Sequence, residues 1–392
     1  MISKKMQELV AGSSVIRAMF EEGKLMAQKY GAENVFDFSL GNPNTAPPNT
    51  LIEDICDILK NNQSIHGYMN NSGYEQTRET IAQSINCKDG LNLNFKNVCM
   101  CVGAAGGLNI ILKTILNPLD EVIVFAPFFS EYKNYVDNFD GHLKIIPANP
   151  PSFMPDLKAF ESAINKNTKA IIINTPNNPT GVVYDDDTLA GLAHILNRKQ
   201  QEFSQDIYLI SDEPYREIVY DNIKVPSILK FYDNSFIAYS YSKSLSLPGE
   251  RIGYVVANSA MKDLDEIMSA LNVANRILGF VNAPSLFQKV VERYVDAPVN
   301  LDLYKSNRDI LYKHLVSLGF EINNPDGAFY LFPKSLISDD VAFCNEAKKF
   351  NLLLVPGSAF GCKGYFRIAY CVSPSTVINS LSSFTNLVAH FK

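Results

Sequence analysis

The chain has 392 residues, 46% of them hydrophobic and 19% charged, with 24 Phe, 19 Tyr and no Trp. That length suits two domains or one large α/β unit whose core needs no disulfide or metal staple. The formal net charge of −6 argues against nucleic acid or an anionic membrane as partner, since both select basic patches.

Seven cysteines are scattered along the chain, and the nearest pair, Cys99 and Cys101, alternates on an expected strand. Zinc sites show C-x2-4-C pairs with further Cys or His partners, so no metal is expected. The cysteines read as small apolar fillers in a reducing compartment. Met1 to Leu9 is charged and amphipathic, without an apolar run ahead of a cleavage site. No segment reaches the ~18 apolar residues of a spanning helix. These features predict a cytoplasmic protein.

Strands are expected at Asn97 to Val102, Glu121 to Phe125, His142 to Pro147, Ala170 to Asn174, Ile207 to Ser211 and Phe236 to Ser240. Several are nearly continuous in Val, Ile and Leu, the pattern of strands buried on both faces of a mainly parallel sheet. Helical stretches such as Ala105 to Ile115 and Asp187 to Phe203 supply crossovers. After about Asn282 a long helical region (Ser285 to Leu318) precedes short strands at Glu321, Phe329 and Phe366 and a last helix near Ser373 to His390. The expected organisation is an N-terminal segment (1–45) packing with a smaller C-terminal α+β domain (282–392), and a large α/β domain between them (46–281).

Ligands of open α/β sheets sit beyond the carboxyl ends of the strands. The polar residues just after each expected strand are therefore the candidates. After Phe236 to Ala238 comes Ser240-Tyr241-Ser242-Lys243, followed by Pro248-Gly249-Glu250-Arg251. A lone Lys is ordinarily a solvated charge. Here two serines and Arg251 offer hydroxyl donors and a guanidinium fork for a phosphate dianion. A nucleophilic amine beside such a set suits Schiff-base chemistry.

Asp212 follows another apolar strand, where a carboxylate is costly unless it meets a cation such as a protonated pyridine nitrogen. The competing reading makes Asp212 the N-cap of a following helix. Tyr215, three residues on, can donate to a phenolic ring oxygen, and Asn178, in Asn177-Asn178-Pro179, can aim its amide at the same atom. Gly103-Ala104-Ala105 opens a helix with small residues that let a phosphate approach free backbone N–H groups. This turn fits neither the Walker pattern nor G-x-G-x-x-G, so ATP and NAD are poor candidates. Phe129 is a candidate to stack on a ring.

Lys243, Asp212, Tyr215, Asn178 and Arg251, in this order and spacing, resemble the class I/II aminotransferases of pyridoxal phosphate (PLP) fold type I. Ser39-Leu40-Gly41-Asn42-Pro43, Tyr68 with Gly73 and Arg78, Gly327-Ala328-Phe329-Tyr330, Pro356-Gly357-Ser358 and Tyr365-Phe366-Arg367 extend the likeness over essentially the whole chain. The resemblance implies a mainly parallel seven-stranded sheet flanked by helices with a smaller α+β domain, and PLP as cofactor. It further implies a homodimer with shared sites, in which Tyr68 reaches the phosphate of the neighbouring subunit's site.

By the same resemblance, Arg367 clamps the substrate α-carboxylate and Gly41 lies near it. A ping-pong exchange between an L-amino acid and a 2-oxo acid is implied, with Lys243 shuttling the proton. Aspartate, or a broad range of amino acids, is the expected donor. Ala105 departs from relatives that carry Lys there for a distal carboxylate, or Ser or Thr for the phosphate, which leaves Ser242 to compensate. Arg17 is either a reader of a distal carboxylate or an exposed helix arginine. A PLP-dependent C–S lyase or aminocyclopropane-carboxylate-type synthase shares the same residues and is the alternative. A PLP-binding regulator with an appended helix-turn-helix finds no room in this length.

Overall fold

The computed structural model of the protein describes residues 2–11 and 15–392, with the side chains of residues 8, 11, 15–18, 20 and 63 outside the described set. The strands in chain order are β1 (Phe36–Asp37), β2 (Val98–Cys101), β3 (Glu121–Phe125), β4 (His142–Ile146), β5 (Thr168–Asn174), β6 (Tyr208–Asp212), β7 (Ser235–Ser240), β8 (Gly253–Ala257), β9 (Tyr330–Leu331), β10 (Leu352–Leu353), β11 (Val355–Pro356) and β12 (Phe366–Ala369).

Seven of these strands form one sheet in the order β2-β8-β7-β6-β5-β3-β4. Every neighbouring pair is parallel except the two made by β8, which runs antiparallel to both β2 and β7. Alternate residues of one strand feed different cores. Ile171 and Ile173 of β5 join Val98, Ile123 and Leu209 on one face. Ala170 and Ile172 join Cys99, Val124 and Ile210 on the other. With both faces covered, polar alternation disappears, which is why these strands read as apolar runs. The helix Asp186–Phe203 seals the first face through Leu189, Leu192 and Leu196. The helices Gly103–Ile115 and Leu264–Ile277 seal the second through Leu108, Ile111 and Leu271.

The six strands expected for the large sheet all form, their ends shifted by at most two residues. Sequence reading missed β8, because Gly253-Tyr254-Val255-Val256-Ala257 is a short apolar run directly after a candidate phosphate motif. The expected strand at Glu321 does not form. Its carbonyl accepts one backbone bond from Lys334 N (2.9 Å), and Pro325 lies just beyond it. The long helical region divides into Ser285–Tyr294 and Asp302–Ser317, interrupted around Pro298, which lacks the N–H that a continuous helix requires.

A second core gathers Tyr304, Leu311, Phe343, Phe366 and Phe384 with Phe36 and Phe38 from the N-terminal side. The same join is made by the backbone, since β1 pairs parallel with β10, Phe36 opposite Leu352. Beside it, β11, β12 and β9 form a three-stranded antiparallel sheet. Residues 36–41 therefore run from this second core to the edge of the large sheet, which brings Gly41 to the ends of β6 and β7.

Gly253 is where β8 meets the turn after β2. A Cβ added there would sit 2.3 Å from Tyr239 O and 3.0 Å from Gly103 Cα, all of it backbone that cannot swing aside. Gly253→Ala is expected to cost about 2 kcal/mol or more, at the upper end of what overpacking does. Urea denaturation followed by circular dichroism measures it, and a stability equal to wild type would refute the contact.

Candidate active site

The carboxyl ends of β2, β3, β5, β6 and β7 converge on a cavity of about 270 Å³. Its wall includes Gly41, Ala104, Ala105, Phe129, Asn178, Asp212, Tyr215, Ser240, Ser242, Lys243, Arg251 and Arg367. Twelve expected site residues thus share one wall. Gly103 lies just behind it: its φ is +75°, and a Cβ there would approach the Arg251 guanidinium to 2.7 Å. Only glycine adopts this turn while letting the arginine pass so near. Tyr68 is 98% exposed and is not part of the wall. The Arg17 side chain lies outside the described residues.

Lys243 sits on the one-turn helix Tyr241–Ser244 that follows β7 directly, and Ser240 caps that turn by accepting from Ser242 N (3.2 Å). Its Nζ donates to Gly41 O (2.7 Å) and lies 5.6 Å from the Phe329 ring centre. Burial, helped by the nearby positive charges of Arg251 and Arg367, pulls the amine down from 10.5 to about 8. At neutral pH an appreciable share of Lys243 is the free base, the form that attacks a carbonyl.

Asp212 is the last residue of β6, and no helix begins after it, so the N-cap reading is excluded. Its Oδ2 accepts from Tyr132 O–H (2.6 Å). Its Oδ1 is buried without a partner. Burial pushes this carboxyl up to about 7. A buried carboxylate with one vacant oxygen at a strand end calls for a cation or N–H donor from a ligand.

The other groups divide the cavity into two ends. At one end Ser240 Oγ and Ser242 Oγ are 2.7 Å apart, and Arg251 Nη1 donates to Ser242 Oγ (3.3 Å) and Pro248 O (2.9 Å). The N-terminus of the helix Gly103–Ile115 lies beside them, so hydroxyls, guanidinium and backbone N–H groups together suit a phosphate. At the other end Arg367 is buried, donating from Nη1 to Asn178 Oδ1 (3.0 Å) and from Nη2 to Ser39 O. Its Nε has no partner. Of the guanidinium's five N–H donors, three remain for an incoming carboxylate. Burial lowers Arg367 from its ordinary value.

Asn178 is fixed twice. Its backbone N donates to Asn174 Oδ1 (2.7 Å), while Asn174 Nδ2 donates to Asp212 O (2.8 Å). With its Oδ1 facing Arg367, the NH2 of Asn178 is turned away from that guanidinium. Tyr215 O–H shares a 2.7 Å hydrogen bond with Tyr330 O–H, and burial raises the Tyr215 phenol well above its usual value. Sequence reasoning singled out neither Tyr132, which holds Asp212, nor Tyr135, which lines the wall. Their one signal was position, three and six residues after Phe129 on the next short helix.

Residues 33–384 match the family profile "Aminotransferase class I and II". The chain belongs to this PLP-dependent family. It is 31% identical to a probable aspartate aminotransferase of Methanocaldococcus jannaschii over 88% of this chain and 91% of that protein. It is 28% identical to the aspartate aminotransferase of Thermotoga maritima over 97% of both. The crystal structure of an amino transferase from Eubacterium rectale superposes with a TM-score of 0.97 at 42% identity, covering 100% of each chain. The protein is thus a fold type I aminotransferase with PLP as cofactor. The residues present fit that group: a buried Asp212 oxygen without a partner, a lysine of lowered basicity and a phosphate cradle occupy one cavity.

The lowered pKa of Lys243 has a direct readout. In the apoenzyme, carbamylation of Lys243 by cyanate, followed by mass spectrometry, is expected to rise with pH through a midpoint near 8. A midpoint above 10, as for a surface lysine, would show that burial does not depress this amine.

Proposed function

We propose that the protein exchanges amino groups between small L-amino acids and 2-oxo acids by a ping-pong cycle, with aspartate among its candidate donors. The observation that carries the residue roles is the single cavity in which Lys243, Asp212, Arg251 and Arg367 meet. In this reading Lys243 holds the cofactor covalently. Asp212, with its unpartnered Oδ1, would pair with the ring nitrogen, and Tyr215 and Asn178 would supply donors for the ring oxygen. Ser240, Ser242, Arg251 and the backbone at Gly103, Ala104 and Ala105 take the phosphate, while Phe129 covers the ring. PLP, when bound, supplies an electron sink for the substrate α-carbon and a carrier for the amino group.

The remaining work falls to the chain. Arg367 orients the α-carboxylate through paired N–H donors, close to Gly41. The Lys243 amine, whose basicity burial lowers, would serve as the base that takes the proton from the substrate α-carbon and gives it up again within the same site. Phe129, Tyr330 and Leu40 close the wall around this region and exclude water. Aspartate is the substrate named for the Methanocaldococcus and Thermotoga relatives. The neutral Ala105 in the wall leaves donors with uncharged side chains equally open, and Arg17 is retained as a candidate reader of a distal carboxylate.

The working unit in this proposal is a homodimer with shared sites. Supporting it, Tyr68 is 98% exposed although it is a large aromatic residue, which leaves it available to a second subunit. A cytoplasmic location is proposed because all seven cysteines are unpaired, and among the described residues no helix is long and apolar enough to cross a membrane. The three-part organisation at residues 1–45, 46–281 and 282–392 is supported by the pairing of β1 with β10 and by the second core.

Lys243→Ala is expected to abolish turnover and the visible absorbance of covalently held cofactor while the far-UV circular dichroism stays unchanged. Transamination near the wild-type rate would remove Lys243 from this role. Arg367→Ala should raise KM for amino acids by about 100-fold, the worth of roughly two charge-assisted hydrogen bonds, with a smaller change in kcat. An unchanged KM would place the carboxylate elsewhere. Assaying the twenty amino acids against 2-oxoglutarate, pyruvate and oxaloacetate identifies the substrates. Conversion of the cofactor to its amine form marks transfer, whereas keto acid released from the amino acid without that conversion would mark a lyase.

A further inference from the structure

Asp212 ends a strand with both faces covered, and each of its oxygens has a different fate. Oδ1 is vacant, whereas Oδ2 accepts from Tyr132 at 2.6 Å, a distance typical of a hydroxyl donating to a charged oxygen. Tyr132 is 1% exposed and lies on the helix Glu131–Asp137, which follows the turn after β3. Its ring meets Phe129 edge-on, with centres 5.6 Å apart at 85°. The phenol therefore has two separable functions: the ring supports Phe129, and the O–H serves Asp212.

We propose that Tyr132 is a positioning residue whose O–H holds Asp212 as a carboxylate, leaving Oδ1 to face the protonated ring nitrogen of the cofactor. The role rests on Asp212 as the ring-nitrogen partner proposed above.

The need for such a donor follows from the surroundings. Burial alone drives Asp212 toward its neutral form, and the negative charge of Glu213 on the next residue pushes the same way, while the Tyr132 hydrogen bond opposes both. Glu213 does not act undiminished, because its Oε2 accepts from Arg216 Nη1 (2.8 Å). The remaining ionisable groups coupled to Asp212 are the phenols of Tyr135 and Tyr215, both kept protonated by burial. Tyr132 thus donates the one direct side-chain hydrogen bond to the Asp212 carboxylate among the described residues. A carboxyl that loses this donor becomes more basic. The proton shared with a ring nitrogen then moves from nitrogen toward Asp212.

The test is Tyr132→Phe, which keeps the ring and its contact with Phe129 and removes only the O–H. Holoenzyme is reconstituted with PLP labelled with ¹⁵N in the ring, and its ¹⁵N NMR signal is read at neutral pH. Wild type is expected to give a pyridinium signal, and a neutral-pyridine signal there would overturn the role of Asp212 itself. Tyr132→Phe is expected to shift the signal toward neutral pyridine and to weaken PLP affinity about tenfold, the equivalent of one unit of pKa. A pyridinium signal in Tyr132→Phe identical to that of wild type would overturn the role of Tyr132 while leaving that of Asp212 intact. So would an unchanged PLP affinity, read by fluorescence titration of the apoenzyme. A purely structural role would lower the thermal midpoint without moving the ¹⁵N signal, and that outcome too would count against the proposal.

Discussion

The Asp212 carboxylate, buried at the end of β6 with one oxygen vacant, is the constraint around which the site is arranged. A charge in that position is expensive unless a partner arrives. The fold leaves the partner's place open rather than filling it with a lysine or arginine of its own. Arg216, four residues along, pairs instead with Glu213 and Asp89, and none of the three lines the cavity. Asp212 thereby stays available to a ligand cation, and its neighbours Tyr132 and Asn174 hold it in place from the side chain and the backbone.

The remainder of the site is set by how closely backbones can approach one another beside that carboxylate. Gly103 and Gly253 touch at the junction of β2 and β8, and the Arg251 guanidinium lies against Gly103. Arg251 itself adopts φ +51°, a left-handed conformation uncommon for a residue with a side chain. The phosphate end of the cavity is therefore built from three tight backbone positions. On the substrate side, Gly41 is equally constrained, since a Cβ there would collide with the Tyr330 hydroxyl. One end of the cavity belongs to the large sheet. The other is assembled across the two cores, by residues 36–41 and by β9 and β12.

That division explains what could be read from the sequence. Lys243, Asp212 and Asn178 lie at the ends of apolar runs on neighbouring strands, so local pattern and the strand-end rule together located them, and Arg251 came with the segment that follows Lys243. Arg367 has no such local signature: it lies inside β12, on a small sheet, and only the resemblance of Tyr365-Phe366-Arg367 pointed to it. Tyr132 and Tyr135 were illegible because a tyrosine on a short amphipathic helix looks like core. Only the register of that helix against β6 shows which atom the hydroxyl meets. β8 was missed for a related reason, as a five-residue apolar run says nothing about direction, and its antiparallel course is fixed by Gly253 packing on the turn after β2. The expected strand at Glu321 is reduced to the single backbone bond that its carbonyl accepts from Lys334.

The electrostatics of the cavity tie these parts together. Lys243, Arg251 and Arg367 face one space that holds a single carboxylate, so its potential is positive before any ligand enters. Two of those cations help to lower the Lys243 amine to about 8. An anion bound at Arg251 or Arg367 cancels part of that push and makes the Lys243 amine a stronger base. Because linkage is reciprocal, the protonated amine in turn favours anion binding. Occupation of the two arginine sites and the basicity of Lys243 are hence coupled. Lys243 is therefore a weaker base while the two arginines are unpaired than once anions pair with them. In the proposed cycle, in which Lys243 first attaches to the cofactor and later accepts a proton, a carboxylate arriving at Arg367 would raise the basicity of the amine for the second task.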